Sequence, residues 1–195
     1  MPELPEVETV VRTLSPYILG QKIKKVEVFY PTSIAMPAEN IFCRRMINQE
    51  ITKITRRGKY ILLYCQKGDC LVVHLRMTGQ LLFCAPEENL DKHTIAVWHL
   101  ASGQQMRFID QRRFGRIWLL DQKKQGNAFE HFSNLSSLGP EPLEKDFTVD
   151  YLYTAAQKKK MPIKGFLLDQ TQIAGLGNIY TDESWFGIPV ASGSP

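Results

Sequence analysis

Tyr60-Ile61-Leu62-Leu63-Tyr64-Cys65 and Cys70-Leu71-Val72-Val73-His74-Leu75 are two short runs of aliphatic, aromatic and β-branched residues, separated by the polar turn Gln66-Lys67-Gly68-Asp69. Each has a strand's length and is bounded by turn residues, so both read as β-strands. The same signature recurs outward in both directions. Upstream it spans Lys24 to Tyr30 and Glu50 to Thr55; downstream it spans Ile95 to Leu100, Gln105 to Ile109 and Arg116 to Leu120. Gly or polar turns separate most of these runs, and the succession predicts a β-sandwich.

Two segments depart from the strand pattern. Val7, Val10, Val11 and Leu14 recur at helical spacing after Pro5, with Gly20 as a C-cap, which predicts an amphipathic helix of about four turns ahead of the strands. Leu138-Gly139-Pro140-Glu141-Pro142-Leu143 then ends the β region. Beyond it Thr148 is a candidate N-cap for a helix through Tyr151 to Lys159, followed by Pro162 to Leu168, a turn at Gly175-Leu176-Gly177 and a further helix from Asn178. The expected fold class is α+β, a sandwich domain with an N-terminal helix over residues 1–130 and a helical domain over 131–195. The boundary falls near residues 125 to 142, and Ala191 to Pro195 reads as an unstructured ending.

Composition narrows the class. The 195 residues are 44% hydrophobic, as a globular core needs, and no apolar stretch approaches the roughly 20 residues of a membrane helix. The start lacks a signal peptide's layout, so a cytoplasmic location is expected. Net charge is +4 and the pI near 8.8. Basic residues cluster at Lys22, Lys24 and Lys25, at Arg44 and Arg45, at Arg56, Arg57 and Lys59, at Arg112, Arg113 and Arg116, and at Lys158 to Lys160 with Lys164. One such cluster is ordinarily a solvated face; several favour a polyanionic partner. Cys43, Cys65, Cys70 and Cys84 contain no CxxC pair and are expected as buried thiols on strands, not as metal ligands or disulfides.

The chain opens Met1-Pro2-Glu3-Leu4-Pro5-Glu6-Val7-Glu8. Removal of Met1 before a small residue would leave Pro2 with a free secondary amine, and an α-amino group titrates near ~8 against ~10.4 for lysine. Part of it is therefore neutral and nucleophilic at physiological pH. Its attack on an aldehyde-like carbon gives an iminium with no N–H to lose, which withdraws electrons from neighbouring C–H bonds and favours elimination. Glu3 is adjacent, Glu6 lies one helical turn further on, and both can converge on Pro2 as proton carriers. The plainer alternative makes Pro2 a start-site residue and Glu3, Glu6 and Glu8 solvated first-turn charges.

Four internal motifs carry comparable alternatives. In Arg57-Gly58-Lys59-Tyr60 a glycine beside a long cation suits a phosphate held close to backbone, although a turn lysine is commonly just solvated. In His74-Leu75-Arg76-Met77-Thr78-Gly79 the methionine is either core filler or a pliable wedge, and the histidine either a satisfied strand-end side chain or a contact. Asp110-Gln111-Arg112-Arg113-Phe114-Gly115 sets guanidinium groups beside an aromatic in a turn, a combination that stacks on bases. Gly175-Leu176-Gly177-Asn178 aims backbone N–H groups and an amide at an anion.

Pro2 to Val10 closely resembles the N-terminus of the formamidopyrimidine-DNA glycosylase family (Fpg/MutM, related to Nei), and the four internal motifs resemble that family's RGK, HLxMxG and DxRRFG segments and its helix–two-turn–helix signature. The resemblance runs from Met1 to about Phe186. It implies that Pro2 is the nucleophile, Glu3 the proton carrier and Lys59 a phosphate contact that assists the chemistry. It also implies that Glu6 supports the substrate site, that His74 and Asn178 contact phosphate, that Met77 and Phe114 wedge into the stack, and that Arg112 faces the orphan base.

The family pattern continues with a C-terminal zinc finger of four cysteine ligands, which is not among these 195 residues, so no cofactor and no metal site is expected in this chain. The implied function is a bifunctional DNA glycosylase and AP lyase that excises oxidised purines, 8-oxoguanine and formamidopyrimidines, through a proline Schiff base with β,δ-elimination. The expected partner is double-stranded DNA with damaged bases or abasic sites, with no membrane. The expected state is a nucleoid-associated monomer. Two alternatives are a truncated, weakly active or inactive damaged-DNA-binding protein and, more remotely, a small-molecule enzyme using the terminal proline as a base.

Overall fold

Pro5 starts the first helix because a helix's first turn has no use for the N–H that proline lacks. Helix α1, Leu4–Ile18, buries Leu4, Val7, Val11, Leu14 and Ile18 along one stripe and packs against three later strands. Gly20, at φ +73°, turns the chain out of it. The computed structural model describes residues 1–122 and 132–186. The expected boundary at residues 130 and 131 and the expected loose ending at 191–195 lie outside the described residues.

After α1 come β1 (Ile23–Val28), a 3₁₀ turn (Pro31–Ser33), β2 (Ile34–Met36) and α2 (Glu39–Met46). Then follow β3 (Ile51–Arg57), β4 (Tyr60–Cys65), β5 (Asp69–His74), β6 (Gly79–Cys84), β7 (Thr94–Leu100), β8 (Gln105–Asp110) and β9 (Arg116–Asp121). They form a four-stranded sheet in the order β1-β7-β8-β6 and a five-stranded sheet in the order β2-β9-β5-β4-β3. Pairing is antiparallel except for β2 with β9. The β-sandwich expectation is met, and each strand read from sequence is present with ends displaced by at most two residues.

The core between the sheets holds Ile61, Leu63, Leu71, Val73, Ile117 and Leu119 from one side and Ala96, Trp98, Met106 and Phe108 from the other, with the apolar face of α1. Trp98 meets Phe42 of α2 edge-on at 6.4 Å. Burying one such large side chain is worth about 1.5–3 kcal/mol. Strands β4, β5 and β9 read as nearly continuous apolar runs because their second face is buried too: Leu62, Val72, Trp118 and Leu120 are at most 7% exposed. There Phe132 tilts against Trp118 at 5.4 Å, just before the short helix α3 (Ser133–Ser136).

Besides the 3₁₀ turn and the four-residue helix α3, three of the described elements were not legible. Strand β2 has only three residues, and in β6 an exposed Leu82 blurs the period-two pattern. Helix α2 buries only Phe42 and Met46, too few positions for a helical period to show. Its presence corrects one expectation: Cys43 lies on a helix, not on a strand. Arg45 and Gln49 both donate to Asp69, the latter at 2.7 Å, tying α2 and the chain after it to the start of β5.

The chain divides into two units, Met1–Ser136 and Ser137–Pro195. In the second, α4 (Val149–Gln157) is capped by the Thr148 hydroxyl, which accepts from the Tyr151 N–H at 3.0 Å, as the sequence predicts. Helices α5 (Ile163–Leu168) and α6 (Asn178–Phe186) follow. The Gln170 amide wires the turn between them, donating to the Leu168 and Leu176 carbonyls and accepting from the Gly175 N–H. Among the described residues no helix is long and apolar enough to cross a membrane.

Candidate active site at the start of the first helix

The three glutamates of the opening octapeptide have three different positions. Glu3 is the N-cap of α1 and is only 2% exposed, a buried carboxylate at the positive end of the helix dipole. Glu6 is exposed and closes a capping box: its carboxylate accepts from the Glu3 N–H at 2.8 Å. Glu6 thereby holds the backbone of Glu3 at the start of α1. Glu8 accepts from Arg12 at 2.8 Å and from Arg56 at 3.1 Å, and these guanidinium groups hold its carboxyl below the usual range. Arg56 also donates to the Gly58 carbonyl at 3.2 Å, so α1 is tied directly to the turn that carries Lys59.

That turn delivers a buried lysine. Gly58 adopts φ +55°, and the next residue, Lys59, is 6% exposed at the head of β4. Burial lowers the Lys59 pKa, while the charge of Glu3 opposes the shift, as it can only at close range. A solvated turn lysine is therefore not what forms here. His74, at the end of β5, is likewise 6% exposed. It sits across from Tyr60, ring to ring at 4.6 Å. Burial first, then the charges of Arg76 and Lys59, push its pKa down to about 3. The neutral ring accepts from the Arg76 N–H through Nδ1 at 3.0 Å, which leaves the hydrogen on Nε2.

A depression of about 380 Å³ is lined by Met1, Arg76, Met77, Phe114 and Arg116. Met77 and Phe114 are 43% and 54% exposed, although both are large and apolar. They come from separate loops, the turn from β5 to β6 and the turn from β8 to β9, which emerge side by side because Gly79 pairs with Asp110. Arg112 stands exposed beside Phe114, and Arg113 stacks on the Tyr30 ring at 4.6 Å. In the first unit Lys59 interacts electrostatically with Glu3 and with His74, Glu6 bonds the Glu3 backbone, and Met77 and Phe114 line one depression. Asn178 belongs to the second unit, exposed at the start of α6.

Sequence reasoning missed the residues that hold this arrangement: Glu8 and Arg56 under the lysine turn, and Thr78 and Asp110 under the two apolar side chains. Asp110, fully buried, accepts from the Thr78 hydroxyl, from the Arg112 N–H at 3.1 Å and from the Gly115 N–H at 2.7 Å. An aspartate at the head of an otherwise arginine-rich turn was the available signal. Among the described residues no cluster of His, Cys, Asp or Glu side chains is arranged to hold a metal ion. Burial pushes the thiols up, that of Cys65 to about 12, and the four cysteines lie on separate elements.

Residues 1–117 match the formamidopyrimidine-DNA glycosylase N-terminal domain, and residues 138–192 match the formamidopyrimidine-DNA glycosylase H2TH domain. The chain is 44% identical over 185 residues to the formamidopyrimidine-DNA glycosylase of Desulforamulus reducens, covering 94% of this chain and 65% of that protein. It is 47% identical over 186 residues to that of Moorella thermoacetica, covering 95% and 66%. It therefore spans just under two thirds of the length of these relatives. Among solved structures, the complex of Lactococcus lactis Fpg with DNA containing an abasic site superposes with a TM-score of 0.85 at 35% identity, over 93% of this chain and 65% of that one. MutM in complex with DNA containing carbocyclic 8-oxo-G gives 0.85 at 34% identity, over 93% and 66%. With both domain matches in chain order and this superposition, the chain belongs to the formamidopyrimidine-DNA glycosylase family.

Proposed function

We propose that the chain carries the chemistry of a bifunctional DNA glycosylase and AP lyase, acting on oxidised purines in duplex DNA from an N-terminal Pro2. The observation that carries this reading is that the chain's first residue shares a depression with Met77 and Phe114, while Glu3 and Lys59, close enough to interact electrostatically, are both buried. With Met1 removed, the Pro2 amine attacks C1′ of the extruded nucleotide. The damaged base departs with the electrons of the glycosidic bond and takes up a proton, and the sugar ring opens to leave an iminium. Loss of a C2′ proton expels the 3′ phosphate in β-elimination, and loss of a C4′ proton expels the 5′ phosphate in δ-elimination. Glu3 gives and takes these protons; Lys59 contacts the phosphate beside it.

Met77 and Phe114 take the place of the extruded nucleotide and Arg112 hydrogen-bonds its former partner. His74 and, in the second unit, Asn178 hold phosphates, so that the duplex bends toward the site. The complexes of the L. lactis and MutM relatives with abasic and 8-oxo-G DNA support duplex DNA as the partner.

Borohydride reduction tests the reading, because it converts a transient iminium into a stable bond. Incubation with duplex DNA carrying 8-oxoguanine or an abasic site, followed by reduction, is expected to give a covalent protein–DNA band that Glu3→Gln weakens. Salt-sensitive DNA binding with no covalent band would contradict the lyase reading and leave a damage-binding protein.

A further inference from the structure

The two loops that raise Met77 and Phe114 share a buried carboxylate. Oδ1 of Asp110 accepts from both the Thr78 hydroxyl and the Arg112 N–H, and Oδ2 accepts from the Gly115 N–H. The Thr78 oxygen itself accepts from the Arg112 N–H at 3.1 Å. Thr78 follows Met77 directly, whereas Arg112 and Gly115 bracket Phe114, so the one carboxylate bonds both loops. Each loop also has a matching backbone feature: Arg76, before Met77, is at φ +56°, and Arg113, before Phe114, is at φ +57°. Both are arginines in the left-handed region, a conformation that persists only where neighbouring contacts over-determine it.

The glycines behind them leave no slack. A Cβ at Gly79 would lie 2.3 Å from the Leu75 carbonyl oxygen, and one at Gly115 would lie 2.4 Å from the Phe108 ring.

We propose that Asp110 and Thr78 are positioning residues that couple the two loops, so that Met77, Arg112 and Phe114 enter the duplex as one pre-set wedge. The inference rests on the function proposed above and concerns only the step of insertion. A carboxylate has acceptor sites for all these donors, whereas the amide of an asparagine would set an N–H against one of them. Thr78→Val keeps the shape and removes only the link between the loops.

The experiment compares two substrates. One is duplex DNA with 8-oxoguanine, which requires insertion; the other is a single-stranded abasic oligonucleotide, which does not. Thr78→Val and Asp110→Asn are expected to lower kcat/KM on the duplex lesion about tenfold or more, with borohydride trapping on the single strand within about twofold of the parent protein. They are also expected to reduce the fluorescence rise of a 2-aminopurine placed opposite the lesion, which reports unstacking. Thr78→Ser is expected to restore both signals. Equal losses on the two substrates, or none on the duplex, would overturn the coupling, and Thr78→Val decides the matter if Asp110→Asn does not fold. Absence of any adduct with the parent protein would instead remove the proposed function and the inference with it.

Discussion

Glu3 and Lys59 form the pairing on which the proposed chemistry turns. Burial disfavours the ammonium of Lys59 and the Glu3 charge favours it. Neutralising Glu3 therefore leaves burial unopposed and lets the lysine pKa fall further. Glu3→Gln is expected to lower the rate of trapping on abasic DNA by about a hundredfold or more, and to move the basic limb of the pH–rate profile to lower pH. An unchanged profile would mean that the two side chains do not interact in the reacting state. His74 offers a separate test through stability. An unfolded histidine titrates near ~6.5, while folded His74 is pushed down to about 3. Between those values the unfolded chain binds the extra proton, so the contribution is complete above about 6.5 and is lost as pH falls toward 3, with a slope of up to about 1.4 kcal/mol per pH unit. Melting from pH 4 to 8 is expected to show a flatter acid limb in His74→Phe than in the parent; parallel curves would refute the assignment. The motif residues were legible because each motif names its own members. The bonds that Asp110 and Arg56 make to Thr78 and Glu8 were not, because they reach 32 and 48 residues along the chain.

Helix α1 and the β3–β4 turn act together. The path Glu8, Arg56, Gly58 carbonyl joins them with bonds of 3.1 and 3.2 Å, and the Arg56 side chain is only 12% exposed. A hydrogen bond to a charged group typically contributes about 1.5–3 kcal/mol, less where the partner is wet, as the Glu8 side chain is. Arg56→Met is expected to cost about 1–2 kcal/mol in urea unfolding and to weaken trapping beyond that stability loss, since the lysine turn loses its anchor. A stability loss with unchanged trapping would show that the bridge does not position Lys59. Strand existence was readable from β-branched runs, and α1 from its stripe. Strand β6 was not, because its exposed Leu82 breaks the alternation, and α2 was not, because eight residues with two buried positions show no period. The apolar second face of β4, β5 and β9 was not read from the sequence; Phe132 tilts against its Trp118 from beyond the last strand.

Over the whole molecule, a modest net charge of +4 conceals an uneven distribution, with Arg76 and Arg116 lining the depression and Arg112 and Arg113 in the loop that carries Phe114. If these groups meet phosphates, DNA affinity falls steeply with salt, about tenfold or more between 50 and 200 mM for several contacts. Fluorescence anisotropy with abasic duplex is expected to show that dependence, and a flat salt response would argue against the polyanion reading. In the sequence the strand signals stop by Leu138 to Leu143, and helical signals follow. The central claim concerns a single atom, the nitrogen of Pro2, and peptide mapping of the borohydride-trapped adduct tests it most directly. The account predicts a deoxyribose remnant on a Met1-less N-terminal peptide, carried by Pro2. A remnant on Lys59, or an N-terminal peptide that retains Met1 in a protein that still traps DNA, would contradict it.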